Sequence, residues 1–476
     1  MFKQLFFDDQ RLFARENARR IYGAPEYVGH YRDSLLNISY CWAYAIKGPD
    51  GKTHLLFQGL YRGQVAEGMS YGAAVSDDGI HFQPRNTASG SGIQNPDFPY
   101  QLFPTDAKGS EIAAVLEDPK APPSERYKML FTDNSRRDKD LHIIDTVLFS
   151  ADLISWKEKC GCYWNPIGTE PLLGAFYNPV NDKFTILTRP DLTHRRVAIT
   201  ETPDWQYYSP MEICLQNDSL DKPLAEIYGM PAIEYDGWFI GFPHIYADFP
   251  QILNTKCDGG TMHVQLAYSL NGRHWQRALR TPFIDAGHPA IVENMGLPGK
   301  MTFLTSALRQ DDGSILLYVI TNMKEHGTPN AELQENDTCI NILRLREDGF
   351  IGLQTEDKNI PARVATREIV WHGGEVTFNL VVSKATCAVY ERTFYEVVPI
   401  PGFSHEDCTP ASGDRVRWIP QWKGGNLEQF AGRILVFELR FENGTLYSVS
   451  GNGTPVMSME GARYIKFGEL PASKGF

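Results

Sequence analysis

Glu226, His244 and Tyr246 are the residues of this chain best spaced to act together. They stand in the stretch from Asp221 to Tyr246, DKPLAEIYGMPAIEYDGWFIGFPHIY, where two apolar, strand-like runs flank a tight turn. In an antiparallel hairpin the start of one strand and the end of the next lie at the same end, so Glu226 leading in meets His244 and Tyr246 leading out. A carboxylate with apolar neighbours suits a proton donor, and an imidazole and a phenol suit the hydroxyls of a substrate.

The same arrangement recurs along the chain. Other strand starts carry Asp33 or Asn37, Glu111, Glu170 and Glu293; other strand ends carry Gln58 and Tyr61, Asp133 and Arg136, Arg189 and Asp191, and Asn322 with Glu325 and His326. The intervening turns hold Asp50, Asp118, Asp182, Asp236 and Asp312, for which ordinary turn chemistry is sufficient. Carboxylates gathered with Arg and His around one mouth are what glycoside hydrolysis requires: one acid protonates the leaving oxygen while a second carboxylate serves as base or nucleophile. On this reading Glu226 is the acid, and Glu111, Asp33 and Glu293 compete for the second role. Arg189, Arg195, His244, Tyr246, Asn322 and His326 are substrate contacts, with Arg189 and the run His194-Arg195-Arg196 forming a clamp for an anion or for hydroxyls.

These side chains need a scaffold of hairpins. Five strand-turn-strand pairs are legible: Cys41 to Tyr61, Ile112 to Thr132, Gly174 to Thr188, Ala232 to Pro243 and Met301 to Thr321. A phrase ending on an aromatic separates them, at Ser76 to Phe82, Ser150 to Trp156, Thr200 to Trp205 and Ser269 to Trp275. Such a phrase suits the turn before the outermost strand of a propeller blade, with its aromatic packed between neighbours. The pattern predicts an all-β chain: an N-terminal segment over 1–30, a five-bladed β-propeller over 31–350 and a C-terminal β-sandwich over 351–476. In the tail, strands are expected at Arg367 to Trp371, Glu375 to Val382, Ala388 to Val398, Ile434 to Phe441 and Thr445 to Ser450, with turns at Gly373-Gly374 and Glu442-Asn443-Gly444. Asp9 to Tyr22 is the one weak helical pattern.

Composition narrows the function classes. Over 476 residues the chain is 12% aromatic and carries a net charge of −12, with no basic block, which excludes a partner held by its phosphate backbone. Asp8 and Asp9 break the apolar start at once, and no apolar run reaches the length needed to span a bilayer. The eight cysteines lack paired metal-ligand spacing, Cys160-Gly161-Cys162 being the only close pair. The expectation is a cytoplasmic protein with reduced thiols, acting on a small carbohydrate without metal, cofactor, nucleic acid or membrane. A homo-oligomer is left open.

Four passages carry a resemblance: Glu117-Asp-Pro-Lys-Ala-Pro-Pro-Ser-Glu-Arg-Tyr-Lys128, Glu226-Ile-Tyr-Gly-Met230, Gln265-Leu-Ala-Tyr-Ser-Leu-Asn-Gly-Arg-His-Trp275 and Arg346-Glu-Asp-Gly-Phe350, with Pro401 to Cys408 and Leu446-Tyr447 in the tail. Together they resemble the five-bladed propeller glycosidases of the family 32, 43 and 68 group, and within it the family-32-like proteins with a C-terminal sandwich. The resemblance implies an Asp in the first blade, an Asp in an Arg-Asp-Pro context in the second and a Glu acid in the third. Here Glu117-Asp118-Pro119 has the spelling of the second motif but opens a turn instead of preceding a strand, so Glu111 is the better equivalent. Leu36-Asn37-Ile38-Ser39 lacks the first Asp, leaving Asp33 as substitute, and Glu226 falls in the fourth unit. The implied activity is an exo-acting glycoside hydrolase on a small glycoside or oligosaccharide, a fructoside or other furanoside-like sugar among them. The alternatives are a phosphorylase with an Arg and His phosphate clamp, similar to the mannoside phosphorylases, and a non-catalytic sugar-binding propeller.

Overall fold

The structure is a computed structural model that describes residues 1–37, 42–61, 69–106, 110–137, 143–163, 174–190, 195–223, 225–247, 260–326, 328, 332, 334 and 337–470. The chain forms two compact units, one of residues Pro25–Leu345 and one of Met1–Ala24 together with Arg346–Phe476.

The first unit is a propeller of five antiparallel blades, the fourth of them made of two sheets. Ala43–Lys47, Thr53–Tyr61 and Met69–Ser76 begin the first blade, whose outer strands are Gln83–Pro84 and Gln101–Asp106. Glu111–Glu117, Tyr127–Arg137, Ile143–Ser150 and Lys157–Tyr163 make the second; Gly174–Asn178, Lys183–Thr188, Val197–Thr202 and Glu212–Leu215 the third. In the fourth blade each of the three inner strands is broken in two, so Glu226–Gly229 and Ala232–Tyr235 run in series, as do Trp238–Gly241 with His244–Ala247 and Thr261–Val264 with Ala267–Ser269. Met301–Arg309, Ile315–Asn322 and Thr338–Leu345 make the fifth, and Glu26–Tyr31 from the start of the chain is its fourth strand. The innermost strands of the first four blades pack side by side in order, the fourth blade meets Met301–Arg309 through Thr261–Val264 and His244–Ala247, and Met301–Arg309 packs back onto Ala43–Lys47, which closes the ring. Closure leaves no inner sheet edge to protect.

The repeated phrase is a turn built the same way four times. Asp78, Asp152, Asp204 and Asn271 each accept backbone N–H groups from two and three residues further on, at 2.7–3.0 Å. The residue that follows each, at Gly79, Leu153, Trp205 and Gly272, takes a left-handed φ between 65° and 74°. The third copy therefore runs from Thr202 to Tyr208, two residues later than the sequence pattern placed it, because Trp205 occupies the left-handed position and not the closing aromatic one. Its indole donates to Asp118 at 3.1 Å in the preceding blade. Phe82 lies 6.1 Å from Tyr318, and Trp275 lies 6.3 Å from Phe176, so these aromatics do pack between blades.

In the second unit one connected sheet runs in the order Leu12–Glu16, Ala362–Thr366, Ile434–Glu442, Ile369–Arg392, Thr445–Pro455, Ile351–Thr355, Ala18–Tyr22. It folds as a β-sandwich through the 24-residue strand Ile369–Arg392, which pairs with Thr445–Pro455 along residues 376–381 and with Ile434–Glu442 along 384–391. Trp371 is fully buried against Phe437 at 5.4 Å. Gly373 and Gly374, with φ of 94° and 83°, interrupt that strand's pairing without turning the chain, so the expected separate strands are one. The weak helical pattern from Asp9 to Tyr22 is two strands instead, separated at Asn17 with φ 49°. Nor do residues 1–30 stand apart: Phe2–Gln4, Leu12–Glu16 and Ala18–Tyr22 are sandwich strands, and Glu26–Tyr31 belongs to the propeller. Arg346, Asp348 and Tyr447 have structural tasks here. Arg346 forks onto Asp414 at 2.6 and 2.8 Å, with its guanidinium 5.0 Å from the Tyr447 ring centre, and Asp348 accepts from Lys3 and Ser448.

Among the described residues no helix is long and apolar enough to cross a membrane.

Candidate active site

Side chains from all five blades meet around Tyr228. Its strand, Glu226–Gly229, is the inner start of the fourth blade and pairs with His244–Ala247, bringing Glu226 opposite Tyr246. The Arg195 guanidinium touches both side chains, so Tyr228 and Glu226 share a face although the strand bulges between Ile227 and Gly229. Trp42, just ahead of the first inner strand, stacks toward Tyr228 at 6.5 Å and 29°. Phe303 on the fifth inner strand meets it edge-on at 6.1 Å, and Tyr246 at 6.0 Å. Arg189, at the end of the third blade's second strand, and Arg195, before its third, set their guanidinium carbons 5.3 and 5.2 Å from the Tyr228 ring centre. His326, beyond the fifth blade's second strand, sets its Nε2 at hydrogen-bond distance, 2.9 Å, from the Tyr228 hydroxyl.

Among the described residues Glu226 and Glu111 bring carboxylates to this cluster. Glu226 accepts from the Arg195 guanidinium at 2.7 Å and from the Arg195 backbone N–H at 3.3 Å. Glu111, first residue of the second inner strand, accepts the Trp42 indole N–H at 3.3 Å. Both are half-buried, as are Tyr228 and His326, while Trp42, Tyr246 and Arg189 are buried beneath them.

His244 lies in the floor. Its Nε2–H donates to the Leu304 carbonyl at 3.0 Å, fixing the tautomer, and its ring runs nearly parallel to Trp42, 8° apart at 6.4 Å. Burial pulls its pKa down to about 4, the Leu304 bond opposing this only in part, so the ring is neutral. Nδ1 is buried without a hydrogen-bond partner among the described residues.

The other proposed site residues lie elsewhere. Asp33 is buried, and its carboxylate accepts from the Tyr31 and Tyr100 hydroxyls at 2.8 and 3.0 Å and from the Leu35 N–H at 2.8 Å, a structural knot within the first and last blades. Glu293 does not start a strand: it sits exposed on the helix Pro289–Met295, which His288 caps and Gly296 ends. Asn322 is buried and accepts the Lys324 N–H at 2.8 Å. Asp118 pairs with the buried Lys128 at 3.0 Å and holds its own turn. Cys160 is exposed and Cys162 buried, so they do not share a site. Glu170, Asp191 and His194 lie outside the described residues. Among the described residues no group of three His, Cys, Asp or Glu could hold a metal ion.

Sequence reasoning passed over Trp42, Tyr228 and Phe303. Tyr228 had a usable signal, two places after Glu226; Trp42 and Phe303 had none, being apolar residues within apolar runs.

No family model and no curated protein matches the sequence. Among solved structures the chain is similar to a glycosyl hydrolase from Bacteroides ovatus, with 14% identity over 70% of this chain and 96% of that one and a TM-score of 0.42. It is also similar to a family 32 β-fructofuranosidase from Bombyx mori, with 12% identity over 91% and 95% and a TM-score of 0.42. A xylan β-1,4-xylosidase from Bacillus halodurans is similar at 9% identity over 90% and 99%, with a TM-score of 0.40.

Proposed function

We propose that the propeller is a glycoside hydrolase, acting at its funnel on a small glycoside or oligosaccharide. The observation that carries this reading is the convergence of Glu111 and Glu226, from the second and fourth blades, on the aromatic surface of Trp42 and Tyr228. Aromatic faces stack on the apolar faces of sugar rings, a part open to the half-buried Tyr228, and the carboxylates beside this cluster supply the charge and proton transfer that glycosidic cleavage needs. Glu226, held by Arg195, serves as the ionised partner, which reverses the role expected from its apolar flanks. Glu111, beside the indole N–H, serves as the acid that protonates the leaving oxygen. Funnels closed at the floor by buried rings admit the end of a chain, which favours exo action.

A panel of aryl glycosides tests this. Hydrolysis of one sugar class is expected, with E111Q and E226Q each lowering kcat/KM by on the order of 10^2 to 10^4-fold. Unchanged rates in both folded variants would remove the two carboxylates from the reaction.

A phosphorylase has one observation in its favour, the two guanidiniums beside Tyr228. It requires that cleavage depend on inorganic phosphate and release a sugar phosphate, so running the same panel with and without phosphate separates the two.

A further inference from the structure

We propose that Tyr228 is the nucleophile of this site and His326 its general base, so that a tyrosine and not a carboxylate bonds to the anomeric carbon. The inference rests on the hydrolase reading above. Three observations lead to it. The Tyr228 hydroxyl oxygen and His326 Nε2 lie 2.9 Å apart, within the reach that a nucleophile and its base require. The guanidiniums of Arg189 and Arg195 both stand about 5 Å from the Tyr228 ring centre, where they favour negative charge developing on the phenol oxygen during attack. Asp33 is held by three donors away from the cluster, and Glu226, the ionised group of the site, is fixed by the backbone and guanidinium of Arg195 and so keeps that guanidinium beside the phenol.

The chemistry balances in two halves. As the Tyr228 oxygen forms its bond to the anomeric carbon, its proton passes to His326 Nε2, and the bond to the leaving oxygen breaks as that oxygen takes the proton of Glu111. Water then attacks the anomeric carbon and gives its proton to Glu111. The bond to Tyr228 breaks, the phenol oxygen recovers its proton from His326, and the sugar leaves with its configuration retained.

The dyad can be read without knowing the substrate. The full chain is treated with 4-(2-aminoethyl)benzenesulfonyl fluoride, an electrophile for activated phenols, and modified tyrosines are mapped by peptide mass spectrometry. Tyr228 is expected to react about tenfold faster than any other tyrosine, and H326F to abolish that excess while E111Q leaves it intact. Labelling of Tyr228 at the common rate, or unaffected by H326F, overturns the proposal. On an aryl glycoside that the protein cleaves, Y228F is expected to lower kcat/KM on the order of 10^3-fold. The matching 2,4-dinitrophenyl 2-deoxy-2-fluoro glycoside is expected to leave its sugar on Tyr228. A sugar found on Glu111 or Glu226 overturns the nucleophile while the hydrolase reading stands. Fast, His326-dependent labelling of Tyr228 in a protein that cleaves no glycoside supports the dyad and sinks the hydrolase reading.

Discussion

His244 shows how one buried side chain ties stability to pH. Its pKa is about 4 in the folded chain against an ordinary 6.5, so between those values the unfolded chain binds the proton that the folded chain refuses. The stabilising effect of the neutral ring is full above pH 6.5 and is lost as pH falls toward 4, on the order of 3 kcal/mol in all. Urea unfolding from pH 7 down to pH 4 should show that loss, and H244F should flatten the dependence over the same interval. Residue by residue, the site was partly legible in advance. Glu226, His244 and Tyr246 were marked by their places at strand ends, and Glu111 by its place at a strand start. Asp33 was misjudged because two of its three donors are phenols, one of them 67 positions away in the chain, which no local pattern reveals. Glu293 was misjudged because Pro289 at the first helical turn and Gly296 after the last make a short helix where a strand start was expected.

At the scale of elements, the four repeated turns carry the blades' outer edges. Asp152 accepts the Ile154 and Ser155 N–H groups and the Ser155 hydroxyl, and although burial pushes its carboxyl up, these bonds hold it below the usual carboxylate range. D152A leaves buried donors without acceptors and should lower stability by about 1–3 kcal/mol, while D152N, which keeps an acceptor oxygen, should cost less. Thermal melts of the two variants side by side check this. The hairpins, the five units and most tail strands were readable from turn residues between β-rich runs. The register of the third repeat was not, because Trp205 looks like a closing aromatic and its left-handed backbone is invisible in a string of letters. Gly373-Gly374 misled for the opposite reason: a glycine pair serves an irregularity within a strand as well as it serves a turn.

For the whole molecule, the fifth blade is completed by a strand from the far end of the chain. Glu26–Tyr31 gives Thr338–Leu345 its outer partner. A chain begun at Arg32 loses that strand and exposes a hydrogen-bonding edge on the fifth blade. Size-exclusion chromatography should show this truncated chain associating more than the full one, with near-ultraviolet circular dichroism reporting the loosened blade. The same feature sets an order of events during synthesis. The four strands between Phe2 and Tyr31 find their partners only beyond residue 338. These early strands are therefore among the last to be built in, and four and a half blades emerge after them before they have anything to pair with.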